Sequence, residues 1–465
     1  MNDADLMPYQ VEGRDAILTS DCMYIADDPG LGKTAQVIRA CANMSQQTLV
    51  KGVIVVCPAS LRTNWAQEWV KWEGPTGIDL HIMSYQEAVK DCEGSAPRKG
   101  KQRIGLLLKT WGVVVFDEAH ALKTSGGKTK RAKSGLVYNL WKVPGKDEET
   151  PDRWERRPGI SANKTVMLSG TPVLNKPVDI FPVLRHMRPQ VWKSKSRFES
   201  RYCDGHVDRF GRWNADGHSN LKELRQLLDS SGIFKRRRKN EVLKQLPPKR
   251  RQLITVEAGV KNTKACESIL SASLKASILS DSSADMDWEV KALEEFENMS
   301  TDHIAEIRKN LGKAKIDPCM NYLTEQEKLG VLPEKLVIFA HHREVIERAV
   351  ETLNLNNIPS AMYYGGMNDK QKNQVVQEFQ HGQVRVFVGS IIAAGVGLTL
   401  TAADTCIILE PSYVPAENLQ AEDRLHRIGA VNPVLAQYVA LANTLDVRIL
   451  ELVTQKMRMI DELFG

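Results

Sequence analysis

The amino-acid sequence predicts an α/β protein with two tandem doubly wound parallel sheets and helical insertions. Three observations predict it. Short β-rich runs of apolar residues alternate with amphipathic helical patterns, as strands buried on both faces of a parallel sheet do. The runs fall into two sets, separated by a helical, charged stretch. The 465 residues also exceed one ordinary core, at roughly 100–200 residues per domain.

The first set of predicted strands is Met23–Ala26, Val53–Val56, Val113–Phe116 and Thr165–Leu168. Between the last two, residues 143–163 are charged and Pro-rich and read as a surface loop. Residues 258–330 read as helical and contain the acidic stretch Asp281 to Glu297. The second set is Leu336–Phe339, Met362–Tyr364, Val384–Val388, Cys406–Leu409 and Leu435–Val439. The basic run Lys235–Lys239 and the pair Pro247-Pro248 mark the boundary. The expected division is therefore a first lobe over 1–247, a linker with a helical insertion over 248–330, and a second lobe over 331–465.

Composition narrows the function classes. A net charge of +6 suits a nucleic-acid partner without requiring one. The eight cysteines contain no C-x-x-C pair, which argues against a zinc ribbon. Their spacing suggests reduced thiols in a cytosol-like compartment rather than a disulfide framework. The N-terminus is acidic where a secretory signal would be basic. No run of about 18 apolar residues exists to span a membrane. Nothing implies an oligomer.

Two motifs carry chemistry. Strand Met23–Ala26 runs into Asp27-Asp28-Pro29-Gly30-Leu31-Gly32-Lys33-Thr34, and a helical pattern follows. Strand, glycine turn and Gly-Lys-Thr at a helix start form a phosphate-binding loop. Backbone N–H groups of Gly30, Gly32 and Lys33 suit phosphate oxygens, Lys33 the β- and γ-phosphate charge, and Thr34 a Mg²⁺ ion. Asp27 stands where the generic pattern has glycine, so a tight strand-to-helix turn without nucleotide remains an alternative. Farther on, Val113–Phe116 ends in Asp117-Glu118-Ala119-His120. Two acids after four apolar residues sit at the carboxyl end of a strand, where ligands bind in open α/β sheets. Asp117 then suits the metal, and Glu118 the attacking water. Acids at a helix N-terminus are the alternative. The basic cluster Arg98–Arg103 reads as a solvated loop before a duplex contact. Trp65, Trp69 and Trp72, spaced by four and three, read mainly as core.

With these residues in place, the chain resembles superfamily 2 helicases, and within them the Swi/Snf-type DNA translocases, over nearly its whole length. Met7–Gly13 looks like the family's Q motif, implying that Gln10 reads adenine. Residues 27–34 look like motif I, where Asp is usual at the first position. Val56–Leu61 with Asn64-Trp65 looks like motif Ia, implying DNA-backbone contact through Ser60 and Asn64. Ser84-Tyr85 fits motif Ib. Leu168–Asn175 looks like motif III, implying that Ser169 and Thr171 couple the ATP and DNA sites. Phe234–Leu246 resembles the family's linker, implying a structural or DNA-facing role for Arg236 and Arg237. Phe339–His342 resembles motif IV. Gly395–Thr401 looks like motif V, with Gly397 at the nucleotide and Thr399 at DNA. Gln420–Gly429 looks like motif VI, with Gln420 at the nucleotide. The wording of motifs IV and VI is closest to the annealing-helicase branch.

The resemblance implies two RecA-like lobes, ATP and Mg²⁺ as substrate and cofactor, and one ATP site at the cleft between lobes. Arg424 and Arg427, three apart, are expected on one face of a helix as γ-phosphate ligands. The expected activity is a DNA-dependent ATPase moving on duplex or branched DNA, in the cytoplasm of a bacterial or viral host setting or in a nucleus. Two rivals stand beside it: a strand-separating DNA or RNA helicase, and a catalytically silent DNA-binding scaffold.

Overall fold

The computed structural model describes residues 1–46, 52–92, 104–123, 133, 136–143, 153–208, 211–257, 301–395, 398–427, 429–442 and 444–464. The chain forms two compact units, Met1–Lys244 with Met459–Gly465, and Gln245–Arg458.

In the first unit the strands are β1 (Cys22–Ile25), β2 (Gly52–Cys57), β3 (Asp79–Ser84), β4 (Trp111–Asp117), β5 (Tyr138–Val143), β6 (Arg153–Pro158), β7 (Ala162–Leu168), β8 (His206–Val207), β9 (Trp213–Asn214) and β10 (Phe234–Lys235). Six of them form one sheet in the order β10-β1-β7-β4-β2-β3, parallel throughout. Residues 53–57 and 113–116 are almost entirely sealed from solvent, because helices cover a parallel sheet on both faces. The register places Ile25 beside Leu168, and Leu168 beside Asp117. The carboxyl ends of β1, β7 and β4 are therefore level, and whatever follows each strand emerges at one place.

Two expectations change here. The segment 143–163 is not all loop: β6 pairs antiparallel with β5, and β7 begins at Ala162. Its charge hid the strand, since Arg153–Pro158 carries little apolar signal. Strands β3 and β10 were also unread. The first mixes Asp79 and His81 into its run, and the second is two residues long.

The second unit holds β11 (Lys249–Val256), β12 (Leu336–Ala340), β13 (Ser360–Tyr363), β14 (Val386–Ser390), β15 (Thr405–Ile408) and β16 (Val434–Leu441). Their order is β11-β16-β15-β12-β14-β13, again parallel. Strand β12 shows how the sequence builds both layers. Leu336, Ile338 and Ala340 join one buried cluster with Ile316, Ile346 and Leu353. Val337 and Phe339 join another with Phe379, Ile391 and Leu425. Alternation of side chains across a strand sends neighbours to opposite faces, so a continuous apolar run requires cover on both. Each fully buried side chain of this kind contributes roughly 1.5–3 kcal/mol.

Strand β11 falls inside the segment expected as linker. It ends the sheet, and its Lys-Arg-Arg-Gln opening is mostly exposed. Edge strands carry such charges, and this is why its sequence hid it. Of the expected helical stretch, Thr301–Lys328 is one helix; the acidic stretch from Asp281 lies outside the described residues. Among the described residues, no helix is long and apolar enough to cross a membrane.

Candidate functional site

The phosphate loop follows β1. Gly30 and Gly32 take φ of 89° and 72°, left-handed angles that glycine adopts without steric cost. A Cβ on Gly32 would also come within 2.3 Å of Gln10 Nε2. Helix α2 then begins at Lys33 and runs to Gln46, with Thr34 in its first turn. Gln10 belongs to helix α1 (Pro8–Thr19). It donates from Nε2 to the Leu31 carbonyl at 3.2 Å and accepts the Met7 N–H at 2.9 Å. The ammonium of Lys33 donates to the carbonyls of Asp27 at 2.7 Å and Asp28 at 3.2 Å. Burial lowers its affinity for the proton, and the nearby carboxylates of Glu118, Asp27, Asp117 and Asp28 act against that.

Asp117 and Glu118 stand at the end of β4, a strand paired on both sides. Burial first, then the charge of Glu118, lifts the Asp117 carboxyl above the ordinary carboxylate range. Each of its oxygens accepts one bond: Oδ2 from Trp65 Nε1 at 2.7 Å, Oδ1 from the Glu118 N–H at 3.0 Å. Glu118 itself sits at φ 52°. A non-glycine residue there is uncommon and turns its side chain sharply out of the strand line. Asp-Glu-Ala-His is thus a strand end at Asp117 followed by a short 3₁₀ turn, Ala119–Leu122, with Glu118 at its N-cap.

Ser169 and Thr171 follow β7. The Ser169 hydroxyl donates to Glu118 Oε2 at 3.4 Å, lies 2.9 Å from His120 Nδ1, and accepts the Thr171 N–H at 3.1 Å. His120 is held neutral: burial, then the charge of Lys123, lowers its pKa to about 3. Gly170 lies so close to the phosphate loop that a Cβ would reach Pro29 Cγ at 2.5 Å. The loop after β7 thus touches both the acid pair and the phosphate loop.

The structure places Arg236 and Arg237 behind the phosphate loop. Arg237 donates to both oxygens of the fully buried Asp27, from Nε at 2.9 Å and Nη2 at 2.7 Å, and reaches Gln36 and the Tyr9 carbonyl. Arg236 bonds Asp28 Oδ1 at 3.0 Å and the carbonyls of Ala26, Gly170 and Phe464. Their guanidinium groups are mostly buried and engage these carboxylates, which gives both residues a structural role at the loop. A buried carboxylate requires such a partner, and this explains the Asp at the first motif position. Ser60 and Asn64 are exposed, the first in the 3₁₀ turn Ala59–Leu61 and the second within helix α3 (Arg62–Lys71). The cluster Arg98–Arg103 lies outside the described residues.

In the second unit the expected helix under motif VI stops early. It spans Pro415–Glu422, and Arg424 and Arg427 follow it in turns, not three apart along a helix. The reason is visible in the pairing of Glu422. It is fully buried and accepts from Arg251 Nε at 2.7 Å, Lys249 Nζ at 2.7 Å and the Tyr438 hydroxyl at 2.7 Å. Asp423 meets Lys249 at 3.2 Å. These acids anchor the chain to β11 rather than forming i,i+3 pairs on a solvated helix. Arg424 then donates to the carbonyls of Gln420 at 3.0 Å and Leu398 at 3.3 Å. Arg427 donates to the Leu398 carbonyl at 2.8 Å and the Thr399 hydroxyl at 3.0 Å. Gln420 is buried and Thr399 exposed. Gly397 lies outside the described residues.

Residues that sequence reasoning missed include Trp65, Tyr85 and Glu410. The tryptophans are buried as expected, yet Trp65 also bonds the Asp117 carboxylate. The Tyr85 hydroxyl donates to the Asp117 carbonyl at 2.9 Å. Glu410 accepts the N–H groups of His341 and His342 and bonds His342 Nδ1 at 2.7 Å, fixing the end of β12.

The oxygen donors Thr34 and Asp117 suit Mg²⁺, which takes one or two protein oxygens and completes its shell with water and phosphate. Among the described residues no group of three or more His, Cys, Asp or Glu is placed to hold a metal ion.

The SNF2-related domain family matches residues 9–101 and 156–326, and the helicase conserved C-terminal domain matches 315–429. A Xenopus tropicalis protein named SWI/SNF-related matrix-associated actin-dependent regulator of chromatin subfamily A-like protein 1 is 30% identical over 99% of this chain and 45% of its own. The Bos taurus DNA annealing helicase and endonuclease ZRANB3 is 29% identical over 95% of this chain and 39% of its own. The chain thus spans less than half the length of these relatives. Among solved structures, the Sulfolobus solfataricus SWI2/SNF2 ATPase core in complex with dsDNA aligns over 99% of this chain and 92% of that one, at 20% identity and a TM-score of 0.40. The chain belongs to the SNF2-related family, whose members are DNA-dependent ATPases.

Proposed function

We propose that this chain hydrolyses ATP in response to duplex DNA and uses the cycle to move along it. The observation that carries the ATPase part is the level register of β1, β7 and β4, which gathers Lys33, Asp117, Glu118 and Ser169 at one edge of one sheet. Gln10 recognises the base. The N–H groups of Gly30, Gly32 and Lys33 cradle phosphate at the start of α2. Thr34 and Asp117 would hold Mg²⁺, which would supply charge neutralisation on the phosphates. Glu118 orients and deprotonates the attacking water, and Ser169 with neutral His120 holds its carboxylate in position. Lys33 releases the Asp27 and Asp28 carbonyls to reach phosphate. Arg424 and Arg427 stabilise γ-phosphate charge during turnover. Gln420 and Gly397 support the nucleotide.

DNA contact is assigned to Ser60, Asn64 and Thr399, which are exposed and neutral, fitting hydrogen bonds to a phosphate backbone. Duplex movement is favoured over strand separation because a relative bears the name of an annealing helicase, an activity that rejoins strands. ATPase rates on single-stranded DNA, duplex DNA, forked DNA and RNA test the assignment. Duplex or forked DNA should stimulate most. Stimulation by single-stranded RNA alone would falsify it.

A further inference from the structure

Helix α3 carries Asn64 on its exposed side and Trp65 on its buried side, one residue apart. Trp65 is 0% exposed, and its ring N–H meets Asp117 Oδ2 at 2.7 Å. The other oxygen of that carboxylate takes the Glu118 N–H at 3.0 Å. One donor on each oxygen fixes both the position and the plane of the group. Of these two donors, only the indole arrives from a separate element. Tyr85 opens helix α4 (Tyr85–Cys92) and holds the carbonyl of the same residue at 2.9 Å. The acid that would ligate the metal is thus gripped by side chains from two other segments, one of which, around Asn64, reads as a DNA-contacting motif.

We propose that Trp65 is a positioning residue through which DNA contacts on α3 set the orientation of the Asp117 carboxylate, and so make ATP chemistry respond to DNA. This rests on the DNA-stimulated ATPase reading above. An indole is rigid, with two side-chain torsions and a buried ring locked by packing. A tilt of α3 therefore moves the N–H as a unit with the helix. Hydrogen bonds weaken steeply with distance and angle, and one to a carboxylate is about twice as strong as a neutral one. A small displacement of the helix is thereby felt at the carboxylate and not absorbed along a flexible side chain.

The test is thermodynamic linkage, with ATPase rate as a second readout. The affinity of the full chain for a fluorescent duplex is measured with and without a non-hydrolysable ATP analogue and Mg²⁺, and analogue affinity with and without duplex. The two ratios must agree, because coupling is reciprocal. Wild type should show coupling on the order of 5–150-fold. Trp65→Phe keeps a buried ring and deletes the donor; its coupling should fall to within about twofold of unity, with loss of DNA stimulation. Trp69→Phe is the control on the same helix, since the Trp69 N–H goes to the Pro75 carbonyl at 3.4 Å; it should keep wild-type coupling. Equal loss in both variants overturns the proposal, as does wild-type coupling in Trp65→Phe. If Trp65→Phe fails to fold, 3-benzothienylalanine at position 65 preserves the ring shape and removes only the N–H, with the same two readings. Absence of coupling in wild type removes the DNA reading and this inference together; coupling in wild type that survives at position 65 removes only this inference.

Discussion

Removing the Arg237 side chain tests whether the basic run is a structural clamp on the phosphate loop. Arg237→Ala deletes the two guanidinium bonds to Asp27 and leaves that carboxylate the Gln36 side chain at 3.1 Å and the residue-237 N–H at 3.1 Å. Asp27 is fully buried, so water does not replace the lost donors. Breaking a buried pair by removing one partner costs about 3–5 kcal/mol. The two surviving donors put this case near the low end, about 3 kcal/mol. For a unit of this size each kcal/mol lowers the melting point by roughly 2–4 °C, so a drop of roughly 6–12 °C is expected in the first unit's transition. Calorimetry should be resolved into two transitions, because a chain of two units need not melt as one. Asp27→Ala and the double variant complete a cycle. Directly paired groups should couple by at least about 1–2 kcal/mol, whereas independent sites add to within about 0.5 kcal/mol. Additive losses would refute the clamp. So would Arg237→Ala that melts like wild type and lowers only DNA affinity, since that would return the residue to the DNA surface.

Three further outcomes are expected. Lys33→Ala should lose nucleotide affinity in a fluorescent-nucleotide titration, while Glu118→Gln should bind as wild type and lose turnover by about a hundredfold or more, the scale of a general base; equal ATPase in all three proteins contradicts the site. Burial alone would raise the Glu422 carboxyl, but Lys249 and Arg251 overcome that and hold it below the ordinary range. A depressed carboxylate adds stability that is complete above its unfolded pKa and lost as pH falls through the folded one. Acid melting of the second unit should therefore be less steep in Glu422→Gln, which starts out less stable at pH 7; parallel curves would show that the pair does not matter. Ser60→Ala with Asn64→Ala should weaken duplex binding by roughly 2–10-fold per lost bond without changing the salt slope, because neutral donors release no counterions; a flatter slope in an anisotropy titration would point to a different interface.

The sequence made the strands legible wherever burial on both faces demanded an unbroken apolar run. Val53–Val56, Val113–Phe116 and Leu336–Phe339 all occupy central positions in their sheets. It concealed strands that lie at edges or carry charge: among the described residues β3 and β11 end their sheets, and β6 pairs with β5 alone. The phosphate loop and acid pair were readable because their chemistry depends on residue type and spacing along one stretch of chain. What escaped depends on partners far away in sequence. Asp27 and Arg237 are 210 residues apart, and Glu422 and Arg251 are 171 apart. A buried aspartate in a loop and a run of five basic residues do announce that each needs a partner, and that signal was available. The spacing of the three tryptophans does not announce that one of them bonds the Asp117 carboxylate, since all three share the spacing and the burial of core. The end of the motif VI helix was lost for a related reason. Periodicity continues through Arg424 and Arg427, but the buried pairing of Glu422 with β11 decides where the helix stops.

The most direct test of the motor reading is displacement of a third strand from duplex DNA. Wild type with ATP and Mg²⁺ should release a bound triplex-forming strand, Glu118→Gln should leave it in place under the same conditions, and a non-hydrolysable analogue should not substitute for ATP. Displacement at equal rates by wild type and Glu118→Gln, or none from a wild type whose ATPase is fully stimulated by that duplex, would contradict coupling of hydrolysis to movement.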